Sequence, residues 1–212
     1  MSRIVDLTLT LSDDVPNYRR EVSKKIPEDG WNASMIHIYS HTGTHVDCPY
    51  HFGISDVTID RIEPQRFIAD GIHVKLQNVQ PGMNIGKSVL DKFSPGDLRG
   101  KAILFQTGWS KHFKDPGTYR DRLPRISEEL AQYLVSAEVS IVGVEPPSVA
   151  DVNNIEELTL IHKILLGGDV IIVEGLANLE SLSGKPFQFI ALPMKIYGGD
   201  GAPARAIAIE SE

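Results

Sequence analysis

A disulfide framework is excluded at the outset. The 212-residue chain holds one cysteine, Cys48, so no intramolecular bridge can form. Long apolar runs are missing too: none approaches the roughly 20 residues that span a bilayer. The opening Met1-Ser2-Arg3-Ile4-Val5-Asp6 reaches an acid before a signal-peptide apolar segment could form. No Lys/Arg run stands out and the formal charge is −7, so partners that need a clustered positive field, nucleic acid or an anionic membrane, are disfavoured. These absences point to a cytoplasmic protein whose partner is a small molecule, with neither nucleic acid nor membrane as a binding surface.

What remains is ordinary globular material, 42% apolar and 23% charged, in a length that fits one domain over residues 1–212. Short β-branched runs between turn signals predict strands at 4–9, 35–40, 71–76, 102–106, 140–144, 170–174, 187–192 and 206–209. Helices are predicted at 84–93, at 127–137 with Ser127 as cap, and at 155–166, where Gly167-Gly168 stops the pattern. More strand than helix, without strict βαβ alternation, predicts a mixed α and β (α+β) domain: layered sheets under a few helices, rather than a doubly wound parallel sheet.

The chemistry concentrates in His41-Thr42-Gly43-Thr44-His45-Val46-Asp47-Cys48-Pro49-Tyr50-His51. In a straight strand His41 and His45 would stand about 13 Å apart, too far for one ion with bonds of ~2 Å. The chain must therefore coil between them, and a helix-like turn brings i and i+4 within about 6 Å. Gly43, lacking a Cβ, permits the bend. His45 and Asp47, two apart, converge from an extended segment, and Pro49 fixes the direction of His51. Two imidazoles and a carboxylate suit zinc, manganese or iron and leave positions open for water, which marks a catalytic site. A bound divalent ion lowers the pKa of its water to about 7, and His51 is placed to move the proton.

Two residues of the second half are candidates for a further half-site. His162 lies on the 155–166 helix and, taken alone, reads first as a hydrogen-bonded core histidine. Glu174 ends the buried-strand run Val170-Ile171-Ile172-Val173, where a carboxylate is costly unless paired or metal-bound. The Gly167-Gly168 reversal can bring the two side by side; a solvated strand end is the alternative.

The eleven-residue segment matches in full the His-x-Gly-Thr-His-x-Asp-x-Pro-x-His motif of the cyclase-like metal-dependent hydrolases, which include bacterial kynurenine formamidases and isatin hydrolases. Phe105–Trp109, Val142–Val149, His162–Leu166, Ile172–Leu179 and Gly201–Ala206 resemble further segments of that family, so the likeness covers most of the chain. It implies a swivelling β/β/α fold and a homodimer in which the partner contributes to the pocket. It implies His41, His45 and Asp47 as ligands of one metal, with Asp47 bridging to a second held by His162 and Glu174, and His51 as acid/base. One or two divalent ions, zinc or manganese, follow. The segment Asp13–Tyr18 keeps only the outline of the family's N-terminal motif, Glu145 stands where Asp is usual, and Cys48 reads as a small packed side chain.

The resulting expectation is hydrolysis of an amide, either an aryl formamide such as N-formylkynurenine or a cyclic amide such as isatin, by metal-activated water with His51 as acid/base. A lactone or ester would use the same machinery. A competing reading takes His45-x-Asp47 with a distant His as the facial triad of a non-haem iron oxygenase. Trp109 and Phe52, with Tyr50 and Tyr119, are candidate walls for an aromatic substrate.

Overall fold

The structure, a computed structural model, describes residues 2–13 and 15–211. Asp14, within the segment compared above with the family's N-terminal motif, lies outside the described residues. In chain order the strands are β1 (Arg3–Asp6), β2 (Tyr18–Lys24), β3 (Ala33–Ile38), β4 (His45–Asp47), β5 (Ile68–Lys75) and β6 (Asn84–Ile85). They continue as β7 (Ala102–Gln106), β8 (Arg125–Ile126), β9 (Ile141–Val144), β10 (Ile171–Glu174), β11 (Phe187–Pro193) and β12 (Gly201–Glu210). The helices α1 (Ile26–Asp29), α2 (Pro95–Leu98) and α3 (Pro116–Tyr119) are single turns, whereas α4 (Glu128–Ser136) and α5 (Ile155–Gly167) are long enough to cover a sheet.

Eight strands form one mixed sheet in the order β1-β12-β11-β5-β7-β9-β10-β4, and β4 pairs again with β12, so the sheet closes on itself. The run β5-β7-β9-β10 is parallel and the remaining pairings are antiparallel. This is the mixed, helix-poor architecture expected from the strand-rich pattern. Side chains alternate faces along each strand, and the core divides accordingly. Ala102, Leu104, Ile141, Ile171, Val173 and the small residues Ala202, Ala204, Ala206 and Ala208 fill the inside of the closed sheet. Ile103, Phe105, Val142, Val144 and Ile172 face outward, against Leu130 and Leu134 of α4 and Ile161 and Leu165 of α5.

Both long helices begin as their caps dictate. Ser127 accepts the Leu130 N–H at 3.1 Å, and Asn154 accepts those of Glu156 and Glu157 at 3.2 Å each. The predicted helix at 84–93 does not form. Asn84–Ile85 instead pairs in parallel with Arg125–Ile126, and Lys87–Leu90 makes one 3₁₀ turn. Gly86 costs a helix about 1 kcal/mol, and strand pairing that buries Ile85 and Leu90 prevails. Strands β2 and β3 form a separate hairpin, nearly all of it exposed on both faces. No helix among the described residues is long and apolar enough to cross a membrane.

Candidate metal centre

Parity puts the donors together. On β4, Val46 and then Cys48 point into the closed sheet, so His45 and Asp47 face outward, under α5. The antiparallel register sets Glu174 of β10 opposite His45 and Ile172 opposite Asp47. Glu174 shares the outward face of Ile172 and so joins them. His162, beside Ile161 on the buried stripe of α5, descends onto the same spot. Its Nε2 is 3.5 Å from Asp47 Oδ2 and 3.4 Å from Glu174 Oε1. Its Nδ1–H is held by the Leu158 carbonyl at 2.7 Å. His45 is fixed in the same manner: Nδ1–H donates to the Gly43 carbonyl at 2.9 Å, while Nε2 lies 3.2 Å from Glu174 Oε2 and 3.5 Å from Asp47 Oδ1.

His41 arrives by the bend that ion-bond lengths demanded. Gly43 has φ +67°, and a Cβ there would stand 2.8 Å from Leu11 Cδ2. Gly175 runs alongside at φ +66°, where a Cβ would come within 2.3 Å of the Gly43 carbonyl oxygen. The turn thus brings His41 Nδ1 to 2.8 Å from Asp47 Oδ1. Two donor groups result, His41/His45/Asp47 and Asp47/His162/Glu174, each with its ligand atoms within 4.8 Å of one another and Asp47 common to both.

These residues fit a divalent ion. His45 Nε2 and Asp47 Oδ2 are buried with no hydrogen-bond partner, a costly arrangement for polar atoms that already point at one spot. The nitrogen and carboxylate donor set suits a divalent transition-metal ion. Without the ion, protons fill the role. Burial opposes charge on His41 and His162, yet the adjoining carboxylates outweigh it, raising His41 to about 9 and His162 to about 10. Burial likewise works against ionisation of Asp47 and Glu174, and the facing imidazoles reverse the balance, so both carboxyls are lowered.

His51 stands apart from the two groups. Pro49 starts a 3₁₀ turn, Pro49–Phe52, that lifts His51 off the strand line. Its ring stacks on His41 with centroids 3.9 Å apart, and burial lowers its pKa. Phe52, the next residue, stacks on His162 at 4.3 Å. Both border a cavity of about 480 Å³ that also reaches His41, His162 and Glu174. Its walls are apolar and aromatic, with Tyr39, Phe113 and Tyr119 joining Phe52, and Arg120 is the one Lys or Arg among the described lining residues.

Trp109, read from the sequence as a substrate contact, is not among the described residues that line this cavity. It is buried, with its indole N–H donated to the Tyr119 carbonyl at 2.9 Å. Trp109 therefore backs the wall that Tyr119 presents. Tyr50 is exposed and also off the cavity. Glu145 is buried with its carboxylate accepting the N–H groups of Thr107, Gly108 and Trp109 and the hydroxyls of Thr107 and Ser110. It hangs the Thr107–Ser110 turn from the end of β9. Cys48 is packed inside the sheet, as its size suggested.

Sequence reasoning missed Asp200, whose Oδ2 lies 2.9 Å from His41 Nε2 and 3.5 Å from His51 Nδ1. The available signal was an acid inside Gly198-Gly199-Asp200-Gly201, a glycine pattern that marks close backbone approach. A Cβ on Gly201 would meet the Val46 carbonyl oxygen at 2.7 Å and His41 Cε1 at 2.8 Å.

Comparison with known proteins finds relatives in both sequence and fold. The model of a family described as "Putative cyclase" matches residues 5–151. The chain is 28% identical to the kynurenine formamidase of Bacillus thuringiensis (strain Al Hakam), covering 97% of each protein. It is 27% identical to that of Geobacillus thermodenitrificans, again over 97% of each. Among solved structures, an isatin hydrolase bound to the product analogue thioisatinate superposes with a TM-score of 0.90 at 21% identity, covering 100% of this chain and 93% of that one. Isatin hydrolase A from Ralstonia solanacearum gives 0.86 at 24% identity over 99% and 92%. At such identities the structural likeness speaks for the fold.

Proposed function

The chain belongs to the cyclase family, and from that premise we propose that it is a metal-dependent hydrolase opening an amide bond, either an aryl formamide such as N-formylkynurenine or a cyclic amide such as isatin. The observation that carries this reading is the pair of donor groups sharing Asp47, with His45 Nε2 and Asp47 Oδ2 buried between them without a hydrogen-bond partner. His41, His45 and Asp47 would hold one ion, and Asp47, His162 and Glu174 a second, zinc or manganese in each case. Such an ion polarises a carbonyl and lowers the pKa of the water it carries to about 7.

The rest is done by side chains. His51 is neutral at pH 7, because burial lowers its pKa below the usual value of 6.5. It therefore accepts the proton of the attacking water and delivers it to the leaving nitrogen. Phe52 with Tyr39, Phe113 and Tyr119 gives a planar aromatic substrate flat faces to lie against. The Tyr119 hydroxyl is donated to the Glu145 carbonyl at 2.9 Å, so that side chain offers its ring and not its proton. A lactone fits the same arrangement with a better leaving group.

We read the chain as one cytoplasmic domain that works as a homodimer. The β2–β3 hairpin and its flanks expose Val22, Trp31, Met35, Ile36 and Tyr39. Such an apolar surface is unusual unless something covers it. Tyr39 also borders the cavity, so a second copy seated there would adjoin the substrate.

The test is metal analysis of the purified protein, followed by assays on N-formylkynurenine, isatin and a simple lactone. Turnover that is abolished by chelation and restored by zinc or manganese supports the reading. Full turnover by metal-free protein, or iron-dependent oxygen consumption in place of hydrolysis, would overturn it.

A further inference from the structure

We propose that Asp200 is a positioning residue that holds the metal ligand His41 and the acid/base His51 with one carboxylate; the proposal rests on the metal reading above. Asp200 Oδ2 lies 2.9 Å from His41 Nε2, while the other nitrogen of that ring, Nδ1, faces Asp47. The same oxygen lies 3.5 Å from His51 Nδ1. A carboxylate on the remote N–H of a ligating imidazole fixes its tautomer and ring angle and makes it a better donor. Here the arrangement reaches further. With Nδ1 of His51 turned toward Asp200, Nε2 is the nitrogen left for the substrate side. The stacking of the two rings at 3.9 Å keeps them in step.

The position of Asp200 does not depend on its own side chain. Its carbonyl accepts the Cys48 thiol at 3.0 Å and the Cys48 N–H at 3.3 Å. Cys48 directly follows Asp47, so the loop bearing Asp200 is tied to the strand bearing the shared ligand. Asp200 is not among the described residues lining the cavity. It should therefore act on kcat and on metal affinity, and leave substrate binding alone.

The experiment compares wild type, Asp200→Ala and Asp200→Asn by zinc competition against a chromophoric chelator, zinc stoichiometry at saturation, and kcat and KM on whichever substrate the wild type turns over. Asp200→Ala should weaken zinc binding and lower kcat by about 10- to 100-fold each, with KM held within about threefold and stoichiometry unchanged. Asp200→Asn keeps the shape and an acceptor oxygen but not the charge, so it should fall between. Its near-isosteric fit guards against a folding defect in the alanine variant. Affinity and kcat within about twofold of wild type in both variants would overturn the proposal. Loss of a whole ion at saturation would also overturn it, making Asp200 a ligand with His41 and His51, a third group whose donor atoms lie within 4.8 Å. A wild-type protein that takes up no zinc or other divalent ion would instead sink the metal reading, and this inference with it.

Discussion

His51 differs from the other histidines of the site in what surrounds it. His41 and His162 lie against carboxylates that raise their pKa to about 9 and about 10, whereas His51 is shifted down by burial. A base that is neutral at pH 7 and borders the cavity is suited to proton transfer; a base held as a cation is not. His51→Ala is therefore expected to lower kcat by about 10²- to 10⁴-fold, the usual worth of a placed acid/base. Zinc affinity and melting temperature should stay near wild type. A variant that loses its metal instead would make His51 a ligand. What spacing alone made legible is that His41 and His45 must converge, and they do. Asp200 was not legible, because it meets His41 across 159 residues. The pairing of Gly201–Pro203 with β4 and the bonds from Cys48 to the Asp200 carbonyl bring the two segments together.

Elements with strong local signals were readable, and those decided by distant partners were not. The cap Ser127 and the stop at Gly167-Gly168 made α4 and α5 readable from within their own sequence, and the structure adds Asn154 as the cap of α5. The 84–93 segment had apolar residues but also Gly86 near its start, and β8, some forty residues on, decided its fate. Strand β4 is three residues long, too short to show an alternation, although it carries two of the donors. The turn after β7 belongs to the same class. The sequence shows Thr107-Gly108-Trp109 as a motif, but Glu145 is what holds it, collecting three backbone N–H groups and two hydroxyls. Glu145→Ala would leave several of these buried donors unpaired at about 1–3 kcal/mol each. A loss of at least about 3 kcal/mol in urea unfolding is expected, with Glu145→Asp much milder. An alanine variant within about 1 kcal/mol of wild type would show that water replaces the carboxylate.

At the scale of the whole molecule, the exposed hairpin and the buried charges make separate predictions. If the hairpin is the homodimer surface, Trp31→Glu with Met35→Glu should shift the mass in solution to that of a monomer. Light scattering that finds wild type already monomeric would remove that role. The buried charges govern how stability varies with pH. An unfolded histidine titrates near 6.5, while folded, metal-free His41 and His162 titrate at about 9 and about 10. Because the folded values are raised, their stabilising contribution is complete below pH 6.5 and is lost as pH rises through 9 and then 10. Past that point Asp47 and Glu174 remain ionised and buried without cationic partners. A divalent ion changes the sign of this trend, since its ligands must be neutral imidazoles and at pH 7 it has to displace those protons to bind. Melting temperatures of chelated protein should therefore fall between pH 8 and pH 10, and those of zinc- or manganese-loaded protein should hold. The gap between the two should widen as the protons leave unaided. A chelated protein whose stability stays level across that window would mean that His41 and His162 are not held as cations by Asp47, Glu174 and Asp200.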